Sequence, residues 1–420
     1  MELVVQQYYY IITTALGLAF DSILAHKLRS ALTLLGVIIG VASVILVGAA
    51  IDGMGVYAQE STAKAFGTDS YLVAQIASVG RSTRSERAAK FKRNRRIRPE
   101  DLQYLRAVTG EQIQYSPYRV QVEDLRFGTK LMEGATILGV SATLAEIRDV
   151  AVQDGRFFTE QEENLRRNVA VVGQEVQSTL FPETTALGGV IKIRGLEFQI
   201  VGVQEKLGSA GNRSQDNQVY IPTGSFTRLF GPERSMSLFG RPRPESGLGF
   251  YDALDLTRVA LRTRFKTPPG AEDNFDTLTP DSIRGFVDQI LGLVAAVVVP
   301  VTMISLVVGG IVIMNIMLVS VTERTREIGI RKALGARRRD VMLQFQIEAV
   351  LLASFGGAIG LALGAAAARA VSVVMEVTLP VTLAYVALAL FVSTATGMIS
   401  GWYPASRAAN LDPVEALRAE

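Results

Sequence analysis

Residues 290–321 read ILGLVAAVVVPVTMISLVVGGIVIMNIMLVSV, without one charged side chain. A bilayer's hydrocarbon core is crossed by about 20 mostly apolar residues in a helix, so this stretch spans a membrane with residues to spare. A helix start is signalled upstream by Thr279, Pro280 and Asp281, with proline at the first helical position and an acid in the first turn. From Pro280 to Val321 such a helix would be roughly 63 Å long, about twice the hydrocarbon thickness. The excess is expected to stand outside the membrane as a stalk. Pro300 is expected to bend it, since its ring removes a backbone hydrogen bond and clashes with the preceding turn.

Three more windows meet the same criterion: residues 31–51, residues 349–368 within a third segment counted from 341 to 368, and residues 377–402. The first follows Lys27 and Arg29, as a secretory signal would. Its apolar run exceeds the roughly 7 to 15 residues of a signal core, so it is read as a retained anchor. Residues 56–66 are expected to prolong that helix to Gly67 as a second stalk.

Lysine and arginine beside the spans set their orientation. The segment 323–340 carries Arg324, Arg326, Arg331, Lys332, Arg337, Arg338 and Arg339 and is expected in the cytoplasm. The turn between spans three and four offers only Arg369 beside Glu376, which suits the outer side, and Arg407 and Arg418 return the tail over residues 403–420 to the inside. Both termini are then cytoplasmic, and residues 52–282 lie outside. The fold expected is an α-helical membrane protein with four transmembrane helices and an inserted extracytoplasmic α+β domain on helical stalks.

The chain has 420 residues, 49% hydrophobic and 20% charged. Soluble chains carry about a quarter charged residues, and the spans account for the shortfall. With no cysteine and a single histidine, His26, the chain has no cysteine nucleophile, Cys/His zinc site or disulfide exchange; a Ser-His-Asp triad would have only His26, at the edge of the first span. A net charge of +3, from 43 basic and 40 acidic residues, gives no argument for nucleic acid. No G-x-x-x-x-G-K-[ST] loop for ATP phosphates occurs, and Gly53-x-Gly55 follows no strand as a dinucleotide fingerprint would. The acid pairs Glu162 with Glu163 and Asp252 with Asp255 lack metal or glycosidase spacing and are read as solvated surface. No catalytic, cofactor-binding or metal-binding residue is expected.

Between the first two spans, long apolar runs give way to short ones rich in Val and Ile. Residues 168–172, 190–193, 198–203, 219–221 and 257–263 read as strands, residues 174–180 and 224–229 as short helices, and Thr159 with Glu162 as a capping box. Residues 206–217 and 239–254 read as irregular loops. The basic run RSTRSERAAKFKRNRRIR at residues 81–98 reads as a solvated, disordered loop, with a binding surface as the alternative. Residues 1–30, with Tyr8, Tyr9 and Tyr10 and a charged end at Asp21, His26, Lys27 and Arg29, read as an amphipathic helix on the inner membrane surface.

Glycines at four-residue spacing, Gly36 with Gly40 in span one and Gly356, Gly360 and Gly364 in span three, are expected where helix backbones approach closely. Glu348, at the cytoplasmic start of span three, is read as a structural cap or coupling contact.

The segment VTERTREIGIRKALGARRRDVMLQFQIEAVLLASFGGAIG, residues 321–360, resembles the core of the MacB/FtsX-type ABC transporter permeases. KLRSALTLLGVIIGVASVI at residues 27–45 is similar to the first span of that group, and YPASRAANLDPVEALR at residues 403–418 to its C-terminal end. GRFFTEQEE, VAVVG, LFP, FQIVGV and VYIP resemble its MacB-like periplasmic core domain. The resemblance covers nearly the whole chain, without the nucleotide-binding domain that MacB carries.

The resemblance implies an FtsX-like permease domain over residues 290–415 in a bacterial inner membrane. It implies a separate ABC ATPase subunit that binds ATP and Mg, and a second permease subunit, identical or different. ATP-driven approach of the ATPases would move the loop at 323–340, and the stalks would pass that movement outward to drive efflux of a small molecule or peptide. In a tripartite version a periplasmic adaptor and an outer-membrane duct receive the substrate. The ATPase contact is expected at Glu323, Arg324, Glu327, Ile328, Gly329, Ile330, Arg331, Lys332, Leu334 and Gly335, with Ile328, Ile330 and Leu334 as its apolar part. Alternatives within the group are lipoprotein release and control of a cell-wall hydrolase. An alternative of another class is a membrane-anchored receptor or scaffold without energy coupling, for which this loop is dispensable.

Overall fold

The computed structural model describes residues 27–80, 83–210, 213–232, 235–375 and 377–418. The interfacial helix expected over residues 1–30, His26 included, lies outside the described residues except for its last few positions, which open the first long helix. In chain order the elements begin with α1 (Lys27–Phe66), β1 (Tyr71–Ala74), α2 (Arg84–Arg93), α3 (Pro99–Thr109), β2 (Ile113–Phe127), β3 (Lys130–Val140), α4 (Leu144–Ile147), β4 (Val152–Gly155) and α5 (Glu160–Asn164). Next come β5 (Val169–Val172), α6 (Gln174–Leu180), β6 (Val190–Ile193), β7 (Leu196–Gln204), β8 (Ser209–Ala210), β9 (Arg213–Ser214), β10 (Gln218–Pro222), α7 (Thr223–Phe230) and β11 (Ser237–Pro242). The chain closes with α8 (Phe250–Arg264), β12 (Asp276–Leu278), α9 (Pro280–Glu323), α10 (Thr325–Ala333), α11 (Arg338–Met375), α12 (Leu383–Ala409) and α13 (Pro413–Arg418).

Two compact units result, one ending at Tyr57 and resuming at Gln289, the other running from Ala58 to Asp288. Helices α1, of 40 residues, and α9, of 44, each pass through a boundary between them.

Among the described residues four helices are long and apolar enough to cross a membrane: Leu34–Lys64, Pro280–Glu323, Arg338–Val374 and Leu383–Ala409. At 1.5 Å per residue α9 alone measures about 66 Å. The helix expected over 377–402 begins instead at Leu383. Pro380 lies just before it and Thr382 takes extended backbone (φ −77°, ψ 151°) at its N-cap, so the helix starts there. The core of the first unit joins Val37, Val41 and Ile45 of α1 to Ile313 and Met317 of α9, Phe345 and Ala349 of α11, and Ala405 of α12.

In the second unit a 10-stranded mixed sheet runs β12-β1-β11-β2-β3-β10-β5-β7-β4, and β6 pairs with both β2 and β7. β3 with β10 and β5 with β7 are parallel; the other pairs are antiparallel. A register shift between Glu123 and Leu125 lets the end of β2 leave its straight course and meet β6 at Ile193 and Lys192. The pairings thereby close a circuit, β2-β3-β10-β5-β7-β6, around Leu125, Ile137, Ala170, Val172, Phe198, Ile200 and Val219.

Three sequence expectations are corrected here. Residues 257–263 are not a strand but part of α8: Ala253, Thr257, Ala260 and Leu261 are buried at helical spacing. The Thr257 hydroxyl donates to the Ala253 carbonyl at 2.9 Å and stands 2.6 Å from the hydroxyls of both Tyr71 and Tyr115. Residues 239–254 are not irregular throughout, because β11 runs to Pro242 and α8 starts at Phe250. Within the basic run, residues 83–98 are not a disordered loop. Ala, Glu, Arg and Lys favour helix, and α2 opens with a capping box of Thr83 and Glu86 and is tied down by Lys90 to Asp276 at 2.7 Å.

Candidate functional site

The segment expected to couple to an ATPase is built by two chain reversals. At the first, Arg324 (φ −104°, ψ 18°) interrupts the helical run after α9, and Thr325 donates its hydroxyl back to the carbonyls of Val321 (3.0 Å) and Thr322 (2.9 Å). At the second, the Ala336 N–H donates to Arg331 O and the Gly335 N–H to Lys332 O, both at 3.0 Å, the paired bonds of a Schellman ending. Gly335 sits at φ +100°, a conformation that only glycine takes without strain. Asp340 then accepts the Arg337 N–H at 3.2 Å and starts α11.

The resulting helix α10 has two faces. Inward, Ile328 (3% exposed) and Gly329 are buried, Ile328 in the same cluster as Val321, Val341 and Phe345. Lys332 donates to the carbonyl of Ala409 at the end of α12 (2.6 Å) and to that of Leu411 just beyond it (2.7 Å). Burial holds the Lys332 ammonium below the ordinary lysine range, Arg338 pushing the same way and Asp412 opposing. Arg331 donates to Gln344 Oε1 at 2.9 Å and Arg338 to Asn410 Oδ1 at 3.2 Å. Arg324 lies 3.7 Å from Glu348, whose residue is 3% exposed, so Glu348 joins the end of α9 to α11.

Outward, Ile330 (45% exposed) and Leu334 (84%) form an apolar pair at i, i+4 spacing. Arg326, Glu327 and Arg331 are exposed around them, and Glu323 is exposed at the end of α9. The structure thus leaves Ile330 and Leu334 exposed. It turns Ile328 into the chain's own core, and gives Lys332 and Gly335 structural work.

The glycines expected at close helix contacts lie at them. A Cβ on Gly36 would fall 2.7 Å from the Gly309 Cα, and one on Gly40 2.9 Å from the Leu306 side chain. Gly356, Gly360 and Gly364 face Val37, Val41 and Ile45 in a four-residue register. Gly309 and Gly310, being adjacent, escape the spacing rule; Gly397 and Gly401 obey it, though they are not among the glycines named from the sequence, and they pack on Ala353 and Ala349. A groove of about 810 Å³ opens between α1, α9 and α12, with Val44, Val47, Met303, Met314, Phe391 and Ile399 on its apolar walls and Thr302, Thr396, Ser400 and Tyr385 as its polar groups.

In the second unit no group of acids and histidine with metal-holding geometry occurs among the described residues. The pair Glu162 and Glu163, expected as solvated surface, is engaged instead. Glu162 accepts two bonds from Arg156, both at 2.8 Å, as well as the Thr159 N–H of its capping box; these bonds hold its carboxyl at about 2. Glu163 accepts the Ala142 N–H at 2.8 Å, and burial raises its carboxyl above the ordinary range.

Comparison with known proteins adds to this geometry. A family model described as the MacB-like periplasmic core domain matches residues 30–249, and one described as the FtsX-like permease C-terminal matches residues 291–413. The macrolide export ATP-binding/permease protein MacB of Bdellovibrio bacteriovorus is 33% identical over 418 residues, covering 96% of this chain and 61% of its own length. The uncharacterized ABC transporter permease YknZ of Bacillus subtilis is 31% identical over 414 residues, 96% of this chain and 98% of its own. The chain therefore spans about three fifths of MacB and nearly all of YknZ. The crystal structure of the periplasmic region of MacB from Actinobacillus actinomycetemcomitans aligns over 54% of this chain and 95% of its own, at 15% identity and a TM-score of 0.42.

Proposed function

Since the chain belongs to the MacB/FtsX-like ABC transporter permeases, we propose that it converts ATP hydrolysis on a separate ATPase into conformational change of residues 58–288, driving efflux of a small molecule or peptide. The observation that carries this reading is the two-faced helix α10. One face is fixed to the chain's own helices by Ile328 and Lys332, and the other offers Ile330 and Leu334 inside a charged rim. A small apolar centre with an orienting rim is the anatomy of a docking surface. A push on that face acts at the junction of α9 and α11, and α9 continues unbroken into the other unit. Macrolide export, in the name of the MacB relatives, supports outward transport. In this reading α10 and both termini face the cytoplasm, two permease subunits act together, and an adaptor and outer-membrane duct are the further partners where an outer membrane exists.

The test is ATP hydrolysis by an ABC ATPase that copurifies with this chain, both reconstituted in lipid. Leu334→Glu and Gly335→Trp are expected to lose copurification and stimulated hydrolysis. Full coupling in both variants would remove the ATPase from α10 and favour a receptor or scaffold.

A second reading, release of a lipid-linked ligand from the membrane, is favoured by the apolar groove between α1, α9 and α12. Met303→Trp, which fills that groove, should then block release while leaving ATPase coupling intact; unchanged release would eliminate this route.

A further inference from the structure

We infer that the cleft lined by Arg95, Arg96, Arg98 and Arg264 in the second unit binds a phosphate-bearing ligand. Residues 81–98 hold nine Lys or Arg and a single acid, Glu86, and such crowding of like charge costs stability unless something opposes it. Part of the charge is met within the fold: Lys90 pairs with Asp276 at 2.7 Å, and Arg93 with Glu272. Arg95 and Arg96 have no ion-pair partner among the described residues.

These two side chains are displayed by a fixed backbone. They sit on the connection between α2 and α3, where Asn94 (4% exposed) and Ile97 (0%) are buried and Arg95, Arg96 and Arg98 are exposed. The Arg95 N–H donates to Asn274 O at 2.7 Å, and Ile97 O accepts the Met236 N–H at 3.0 Å, so both ends of the short segment are anchored to the body of the unit. Across the cleft, Arg264 is held by Asp101 (3.0 Å) and lies over the Tyr104 ring at 5.3 Å.

The cleft has a volume of about 660 Å³, within the usual range for a small-molecule site. Its four guanidinium groups face two carboxylates, Asp101 and Glu100. Asp101 is already engaged by Arg264 and by the Arg98 N–H at 2.9 Å. The surplus is positive, and the N-terminus of α3 adds partial positive charge beside it. Guanidinium groups at fixed positions match phosphate oxygens in paired hydrogen bonds, which lysines do not. The phosphate could come from a soluble molecule or a lipid headgroup.

The test uses the full chain in phosphatidylcholine nanodiscs, titrated with inorganic tripolyphosphate. Arg95→Gln combined with Arg96→Gln should weaken binding by about tenfold or more, the effect of losing charge-assisted hydrogen bonds. Arg126→Gln combined with Lys130→Gln, an equal loss of charge on the β2-β3 hairpin, should leave it unchanged. Equal weakening by both pairs, or by neither, would overturn the site. In nanodiscs that also contain phosphatidylglycerol, weaker tripolyphosphate binding by the wild type but not by the Arg95/Arg96 variant identifies a headgroup as the source. Binding unaffected by that lipid identifies a soluble phosphate. Copurification with the ATPase should survive in the Arg95/Arg96 variant, so failure of this site is distinguishable from failure of coupling at α10.

Discussion

Lys332 donates from its ammonium to the carbonyl oxygen of Ala409 at 2.6 Å, locking α10 to the end of α12. A second bond reaches Leu411 at 2.7 Å, just before α13. Lys332→Met removes both donors and is expected to cost about 1 to 2 kcal/mol, seen as a lower melting temperature in detergent. Melting equal to wild type would mean that water serves these carbonyls equally well.

Ile328 and Leu334 are both aliphatic residues of the same short segment, yet they should respond oppositely to polar substitution. Ile328→Asn places an amide in the cluster of Val321, Val341 and Phe345 and should cost roughly 2 to 4 kcal/mol. Leu334→Asn, at 84% exposure, should change stability by less than about 0.5 kcal/mol. Thermal melts of the pair decide whether the orientation of α10 is as described.

Gly36 and Gly55 lie on the same helix and separate packing from propensity. Gly36→Ala puts a Cβ 2.7 Å from the Gly309 backbone and should destabilise by about 1 to 3 kcal/mol as the helices are forced apart. Gly55 meets nothing within 4 Å, so Gly55→Ala should gain roughly 0.5 to 1 kcal/mol. Equal melting temperatures would contradict close contact of α1 and α9.

Acid should loosen the second unit through Glu162. Hydrogen bonds from Arg156 hold its carboxyl at about 2, against an ordinary 4.5. The stabilisation from this shift is complete above pH 4.5 and is lost as pH falls from there toward 2. Glu162→Gln should therefore melt below wild type at pH 7, with the gap closing between pH 4.5 and 2. A gap that persists at low pH would assign the effect to packing.

Labelling from outside reads the orientation directly, because the sequence has no cysteine of its own. Thr179→Cys, on an exposed position of α6, should react with an impermeant maleimide in intact spheroplasts. Leu334→Cys should react only after permeabilisation. The reverse pattern would invert the assignment.

Much of the membrane unit was legible because its signals are local. An uncharged run as long as residues 290–321 has one stable solution in lipid, and the start at Pro280 was marked by its own first turn. Glycines four apart in span three lie on one face of any helix, and they meet α1 in that register. Local signals also found β5, β6, β7 and β10, but not how the sheet pairs. β1 pairs with β11 and β12, Tyr71 opposite Gly240 and Leu72 opposite Leu278, partners separated by most of the unit's sequence. A run of four residues carries no mark of such partners.

The same limit misassigned residues 257–263, where Thr, Val and Thr suggest a strand in isolation. Helix wins because Thr257 is turned onto Tyr71 and Tyr115, a contact known only once β1, β2 and α8 are together.

By itself the sequence determined four membrane-crossing helices, the α+β insertion between the first two, and the charged turn between the second and third, since hydropathy, length and charge belong to contiguous residues. Only the tertiary structure decided that Ile328 is core while Leu334 is surface. It likewise decided that Lys332 is committed to the carbonyls of Ala409 and Leu411, and that the basic run around Arg95 is held at the rim of a cleft. Those outcomes depend on the phase of a helix or strand against neighbours distant in sequence, and burial by such neighbours, rather than residue type, assigns each side chain its role.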